Sequence, residues 1–234
     1  NRHHVRQRAG HGHQLCELAL GGLGDPARPD GLGVCGLLCP AILIDFIARD
    51  TAPKEDDQMY LKHNDLIIRN ATEKDAVQLA VWWNDGRVMA HAGFPKGTGQ
   101  TAKSIADSLR KDTDTTHRRL IVEMDHTPIG EMVYRNKGEQ ASEIGIKICD
   151  FSKQNKGIGK ILLSMLISSL FYDLGYQKIV LDTNLKNKRA QHVYEQLGFT
   201  KLRVNENWGM DQMGEWQSSV DYELYRKDFI NFAK

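Results

Sequence analysis

Apolar side chains recur along this chain with two periods. Ile161, Leu162, Leu163, Met165, Leu166 and Ile167 fall at helical spacing, which predicts a helix over 160–172. Ala76, Leu79, Ala80 and Trp83 predict another over 73–84, with Thr72 as its cap and Asp75 favouring its first turn. Further helices are expected over 101–111 and around Tyr194. Strand-like runs occupy 66–69, 119–124, 129–135, 141–149 and 178–183, and two further strands are expected after the Tyr194 helix, the last over 220–226. In the last of these, Val220, Tyr222 and Leu224 alternate with Asp221 and Glu223. Asp125-His126-Thr127-Pro128 and Asn136-Lys137-Gly138 read as turns, so three consecutive strands should pair antiparallel. Gly175 and Gly198 stand where helices should end. Residues 205–217 carry Trp208, Met210, Met213 and Trp216 and read as a loop: a lid over substrate, a contact in a homodimer, or packing onto the domain. The succession implies an α/β (α+β) domain with a mostly antiparallel sheet flanked by helices.

The first fifty-odd residues break this pattern. Residues 1–53 hold five Arg and no Lys, with four of the six Pro and three of the four Cys; from Lys54 onward there are seventeen Lys and nine Arg. Arg, Gly, Ala and Pro have GC-rich codons and Lys, Asn and Ile AT-rich ones, so two coding origins are expected. On that reading 1–58 is an atypical leader and linker, appended or fused, and 59–234 is the working domain. His3-His4, His11-x-His13 and Cys35-x-x-x-Cys39 match no standard zinc spacing, and no metal is expected. The apolar run 32–44 lacks the small-residue cleavage site of a signal peptide, and no run reaches the ~18–20 residues of a membrane span. A net charge of +1 gives no ground for nucleic acid or membrane as partner. The unevenly spread cysteines form no disulfide framework, and a reducing, cytoplasmic setting is expected.

The candidate chemistry begins where strand 141–149 turns into helix 160–172. Gln154-Asn155-Lys156-Gly157-Ile158-Gly159-Lys160 places backbone N–H groups at the positive end of a helix, an arrangement suited to phosphate. Two familiar phosphate loops are excluded. Gln154 stands where a P-loop needs its first Gly, and Ile161 where it needs Ser or Thr; Leu162 stands where a dinucleotide fingerprint needs a third Gly. Taken alone, the window is either a phosphate cradle or a glycine turn that merely starts a helix.

Gln154-x-x-Gly157-x-Gly159 resembles the pyrophosphate loop of the GNAT family of N-acetyltransferases. One helix and one strand later comes Asn187-x-x-Ala190-x-x-x-Tyr194, closed by Gly198-Phe199, which is similar to the family's second signature. The resemblance spans about 66–229. Trp82-Trp83-Asn84-Asp85, Glu143-Ile144-Gly145 and the ending Asp221-x-x-x-Tyr225-Arg226-x-Asp228-Phe229 look most like the branch of ribosomal-protein N-terminal, polyamine and aminoglycoside acetyltransferases.

The resemblance implies a GNAT fold whose central sheet splays at the acetyl-CoA site. It implies transfer of an acetyl group from acetyl-CoA to the primary amine of a small molecule or a protein N-terminus, in a bacterial-type enzyme. A non-catalytic CoA-binding or regulatory module is the alternative. The implied donor site comprises Gln154, Asn155, Lys156, Gly157, Ile158, Gly159 and Lys160, the backbone amides of Ile146, Lys147 and Ile148 along the pantetheine arm and acetyl carbonyl, and Asn187. Asn187 also reads as a helix cap. Tyr194 corresponds to the family's general acid, the alternative being a half-buried helix tyrosine. Glu143 or Glu131 is the candidate base, each alternatively an exposed strand carboxylate. Trp82 and Trp83 read as core, or as one wall of the acceptor pocket.

Overall fold

The computed structural model describes residues 59–234. The leader, its His and Cys pairs and the apolar run 32–44 lie outside the described residues. The strands are β1 (Tyr60–His63), β2 (Leu66–Asn70), β3 (His117–Met124), β4 (Thr127–Asn136), β5 (Ala141–Ile148), β6 (Lys178–Asn184), β7 (Thr200–Met210) and β8 (Trp216–Tyr225). The helices are α1 (Ala76–Asn84), α2 (Gly86–Met89), α3 (Ala102–Leu109), α4 (Ile158–Tyr172) and α5 (Lys188–Gln196). All the strands join one sheet in the order β1-β2-β3-β4-β5-β6-β8-β7. Every neighbouring pair is antiparallel except β5–β6. The crossover between those two parallel strands is α4, as a parallel connection requires.

Alternation along the strands sorts the side chains onto two faces. Leu120, Val122, Met132, Tyr134, Ile144, Ile179, Leu181, Val220, Tyr222 and Leu224 point to one face and bury themselves beneath α4 and α5. α4 is apolar nearly all round because it is covered twice. Leu162, Leu166 and Leu170 meet the sheet, while the C-terminal segment crosses its other side, where Phe229 meets Phe171 edge-on at 5.9 Å and the Phe232 N–H donates to Ser164 Oγ at 3.0 Å. Each such buried side chain is worth about 1.5–3 kcal/mol, so the start of α4 is anchored. On the opposite face α1 and α3 cover only one half of the sheet, with Leu79, Trp82, Trp83, Ile105 and Leu109 packed against Ile121.

The start of α1 follows the expected chemistry: the Thr72 N–H donates to Asp75 Oδ2 at 2.7 Å, and Arg69 clamps the same carboxylate at 2.8 and 2.9 Å. Gly175 and Gly198 take φ of 76° and 96° after α4 and α5. Two expectations need correction. β1 was not anticipated; four residues of a sheet edge carry little periodic signal. Residues 205–217 are mostly strand, for β7 and β8 run to a tight turn at 211–215. β7 is exposed along almost its whole length, so no alternation of apolar and polar residues marks it as a strand. Among the described residues no helix is long and apolar enough to cross a membrane.

Candidate active site

β5 and β6 pair over three positions only: Ala141 with Lys178, Ser142 with Ile179, and Glu143 with Val180. Beyond them β5 stays with β4 as far as Ile148, and β6 stays with β8 as far as Asn184. The two strands therefore part after Glu143 and Val180, and one edge of 144–148 faces the opening. Ile146, Lys147 and Ile148 lie along that edge.

The glycine loop closes the end of β5. Asp150 Oδ1 accepts from the Ser152 N–H at 2.8 Å and caps the turn Phe151–Lys153. The Gln154 side-chain amide then reaches back to the Ile148 carbonyl at 2.8 Å. Gly157 precedes α4 with φ of 76°, a conformation glycine adopts without steric cost. A Cβ added to Gly157 would meet nothing within 4 Å, and one on Gly159 only Ile148 Cδ1 at 3.5 Å. The loop is thus open over its glycines, and the first N–H groups of α4 have no partners within the helix. Such a cradle fits a pyrophosphate. Arg189 on α5 braces it from the side, donating to Asn155 Oδ1 at 2.8 Å and to Gln154 Oε1 at 3.2 Å.

The other anticipated loop residues divide between backbone and side chain. Ile158 buries its side chain in the core, and Lys156 is exposed. The Lys160 ammonium turns away from the loop, bonding Gln196 at 3.2 Å and lying 4.0 Å from the centre of the Phe232 ring. Its backbone N–H bonds the Gly157 carbonyl at 3.2 Å. Asn187 caps α5, its Oδ1 accepting from the Ala190 N–H at 3.2 Å. Buried Gln191 ties α5 to the end of β6 through the Leu185 carbonyl at 2.9 Å.

Tyr194 hangs from α5 over β8, with the Phe199 ring at 5.7 Å and the Tyr222 ring at 5.8 Å. It is buried, and its hydroxyl makes no hydrogen bond among the described residues. Burial above all, and then the nearby Asp182 charge, push its phenol well above the ordinary tyrosine range. Tyr194 therefore keeps its proton at neutral pH and is available as a donor.

Neither carboxylate proposed as base is free. Glu131 is buried and held by the Trp83 indole N–H at 2.9 Å and the Lys147 ammonium at 2.9 Å. Glu143 is half-buried between Arg135 at 2.5 Å and Lys137 at 3.1 Å. Each pairs within the sheet, Glu131 opposite Lys147 and Glu143 opposite Arg135. Trp82 and Trp83 are core residues, and Trp83 also orients Glu131. This pairing across α1, β4 and β5 leaves no trace in residue spacing, because its members are 48 and 16 positions apart. The Arg189 brace and Gln191 were also missed.

A family model described as an acetyltransferase (GNAT) domain matches residues 65–200. The chain belongs to the GNAT acetyltransferases. Solved structures of this family share its fold. One is a spermidine N-acetyltransferase from Vibrio cholerae in complex with CoA and spermine, with a TM-score of 0.64 and 20% identity, covering 71% of this chain and 99% of that one. Another is a ribosomal-protein-S5-alanine acetyltransferase from Vibrio fischeri, with a TM-score of 0.62 and 18% identity, covering 74% and 99%. A ribosomal L7/L12 alpha-N-protein acetyltransferase in complex with coenzyme A gives 0.64 and 14%, covering 71% and 98%. No curated protein matches the sequence. At these identities the solved structures speak to the fold; the family match assigns the GNAT acetyltransferase class.

Proposed function

We propose that this GNAT domain is an acetyl-CoA-dependent N-acetyltransferase acting on a primary amine, of a small molecule or of a protein N-terminus, by direct attack on the thioester. The observation that carries the reading is the parting of β5 and β6 after Glu143 and Val180, with the open glycine cradle at the end of β5 and Tyr194 on the helix after β6. Acetyl-CoA supplies a carbonyl activated as a thioester. The loop amides of 154–160 hold its pyrophosphate, and the free edge of Ile146, Lys147 and Ile148 binds its arm and polarises its carbonyl. Asn187 sets the start of α5. Tyr194, kept neutral by burial, gives its proton to the departing sulfur.

In this reading Glu131 and Glu143 hold the strands at the opening through Lys147, Trp83 and Arg135. The setting we assign is the cytoplasm of a bacterium, on composition and on the buried free thiol of Cys149. A homodimer would use the β7 edge, where Leu202, Val204, Trp208 and Met210 are exposed. The test is thiol release from acetyl-CoA across a panel of primary amines. Turnover with one class of amine supports the reading, whereas CoA binding with no turnover on any amine would support a binding or regulatory module instead.

A further inference from the structure

The face of the sheet away from α4 and α5 carries a second group of charges that the mechanism above leaves unused. Ile179 and Leu181 of β6 point into the core beneath α4, so Asp182 projects from the opposite face. Asp182 lies two residues beyond Val180, the last residue of β6 to pair with β5. Glu143 projects from the same face on the near side of the opening, since it pairs with Arg135 and stands in register with Val180. Asp221 stands directly opposite Asp182 on β8. Two like charges in opposed positions are unfavourable unless something neutralises one of them.

The acids on this face are partnered very unequally. Glu131 and Glu143 are held as described above, and Asp221 takes Arg203 at 2.7 Å and Asn205 at 2.8 Å. Apart from its own backbone N–H, no donor among the described residues serves the Asp182 carboxylate. It is half-buried, beside the opening, and lacks the cation that its neighbours have. Tyr194 lies on the other face of the sheet, close enough for the Asp182 charge to act on its phenol.

We propose that Asp182 is the group that takes the proton from the acceptor amine. The inference rests on the acetyltransferase reading and assigns it two sides, with thioester and Tyr194 on the helix face and ammonium and Asp182 on the other. The proton balance is simple. One proton passes from the ammonium to an Asp182 oxygen, leaving a neutral amine to attack. A C–N bond replaces the C–S bond, the sulfur takes a proton from Tyr194, and the amide nitrogen's remaining extra proton restores the phenol. The Asp182 proton then leaves to solvent.

The surroundings suit that task. Burial first, then Glu143 and Asp221, raise the Asp182 carboxyl to about 6, against a smaller opposing effect of Arg135. Glu223 projects from the same face but lies opposite Val180, over the paired part of β6. The turn Ala90–Ala92 packs against β6 and brings only His91, which is exposed. A carboxylate titrating near 6 is charged at neutral pH and holds a proton better than an ordinary aspartate, as a base working near neutrality should.

The experiment compares wild type with Asp182→Asn in the full chain. Thiol release from acetyl-CoA is followed from pH 5 to 9 with 1,4-diaminobutane, other primary amines and a peptide with a free N-terminus, and CoA affinity is measured as the control for folding. The expected result is CoA affinity within about twofold of wild type and kcat lower by about 10²-fold, without the fall in rate below about pH 6 that is expected of wild type. Asp182→Glu should recover part of the rate and the acid limb. Asp182→Asn retaining both the rate and the acid limb overturns the inference and leaves the acetyltransferase reading intact. A wild type that releases no thiol with any amine overturns both. Should Asp182→Asn fail to bind CoA, an acid limb that persists in Glu143→Gln but moves to lower pH, as loss of the Glu143 charge requires, decides for Asp182, and loss of the limb decides against it.

Discussion

The two faces of the opening between β5 and β6 are built by different means. The face that carries the glycine loop, α4 and α5 is largely local in sequence: turn, loop and helix succeed one another, and several groups are set by neighbours a few residues away, with Arg189 as a brace from further along the chain. Gln154 folds back on Ile148, Asn187 caps its own helix, and Gly157 takes the left-handed turn that starts α4. The opposite face is built by contacts distant in sequence. Trp83, Glu131 and Lys147 meet from three elements, and Asp182 faces Asp221 across two strands. The hairpin tip also docks there, with the Gln212 N–H on the Gly93 carbonyl at 3.1 Å and its side chain on the Gly97 carbonyl at 2.8 Å. The helix face, to which we assign the donor, can therefore be written in a short motif, whereas the opposite face, to which we assign the acceptor, cannot.

The sharpest test of the donor face is Tyr194→Phe. Only the hydroxyl is lost and the contacts with Phe199 and Tyr222 remain, so CoA affinity should hold while kcat drops about 10²-fold. A kcat within about twofold of wild type, with chemistry rate-limiting, would make the hydroxyl structural. The paired residues of the opposite face, Asp182 apart, should respond in stability rather than in a single rate. Glu131→Ala strands a buried indole N–H and an ammonium, and we expect a loss of roughly 1–3 kcal/mol in chemical denaturation. A loss below about 0.5 kcal/mol, the range of an ordinary surface substitution, would mean that the Trp83–Glu131–Lys147 pairing does not hold this face.

Gly159→Asp separates binding from folding. The added Cβ finds ordinary contact distance at Ile148, so the backbone need not move, yet a negative charge enters the cradle. CoA affinity should weaken at least tenfold, about 1.4 kcal/mol; wild-type affinity by calorimetry in a folded variant would displace the pyrophosphate from this loop. Asp182→Asn should stabilise the protein, by an amount set by pH. The folded carboxyl sits at about 6, above its ordinary value of 3.8, so whatever Asp182 contributes to stability is present below about 4 and is lost as pH rises through 6. The neutral amide should therefore raise Tm at pH 7.5 and change nothing at pH 4. An equal gain at both values would point to packing rather than charge. The smallest effect is expected from removing 1–53, whose composition changes abruptly at Pro53 and Lys54: CoA affinity should stay within about twofold of that of the full chain. A large loss would make the leader part of the site.

Much of this protein could be read from the chain alone. Helix and strand periods appear where one side of an element is buried and the other is not, as in 178–183, and an unbroken apolar run marks a strand buried on both faces, as in 66–68. Two signatures locate the loop and Tyr194, since backbone conformation and helix geometry are specified over a few residues. The periods fall silent where burial does: β7 is exposed along most of its length and β1 is only four residues long at the edge of the sheet. Which carboxylate stays free was beyond the reach of spacing. Glu131, Glu143, Asp182 and Asp221 look alike as strand acids. Only strand register decides that the first meets an indole and a lysine, the second two cations, the fourth an arginine and an asparagine, and that Asp182 is left beside the opening with none of these. Pairing of charges across a sheet depends on which strands become neighbours, and that is settled when the hydrophobic faces close on α4 and α5.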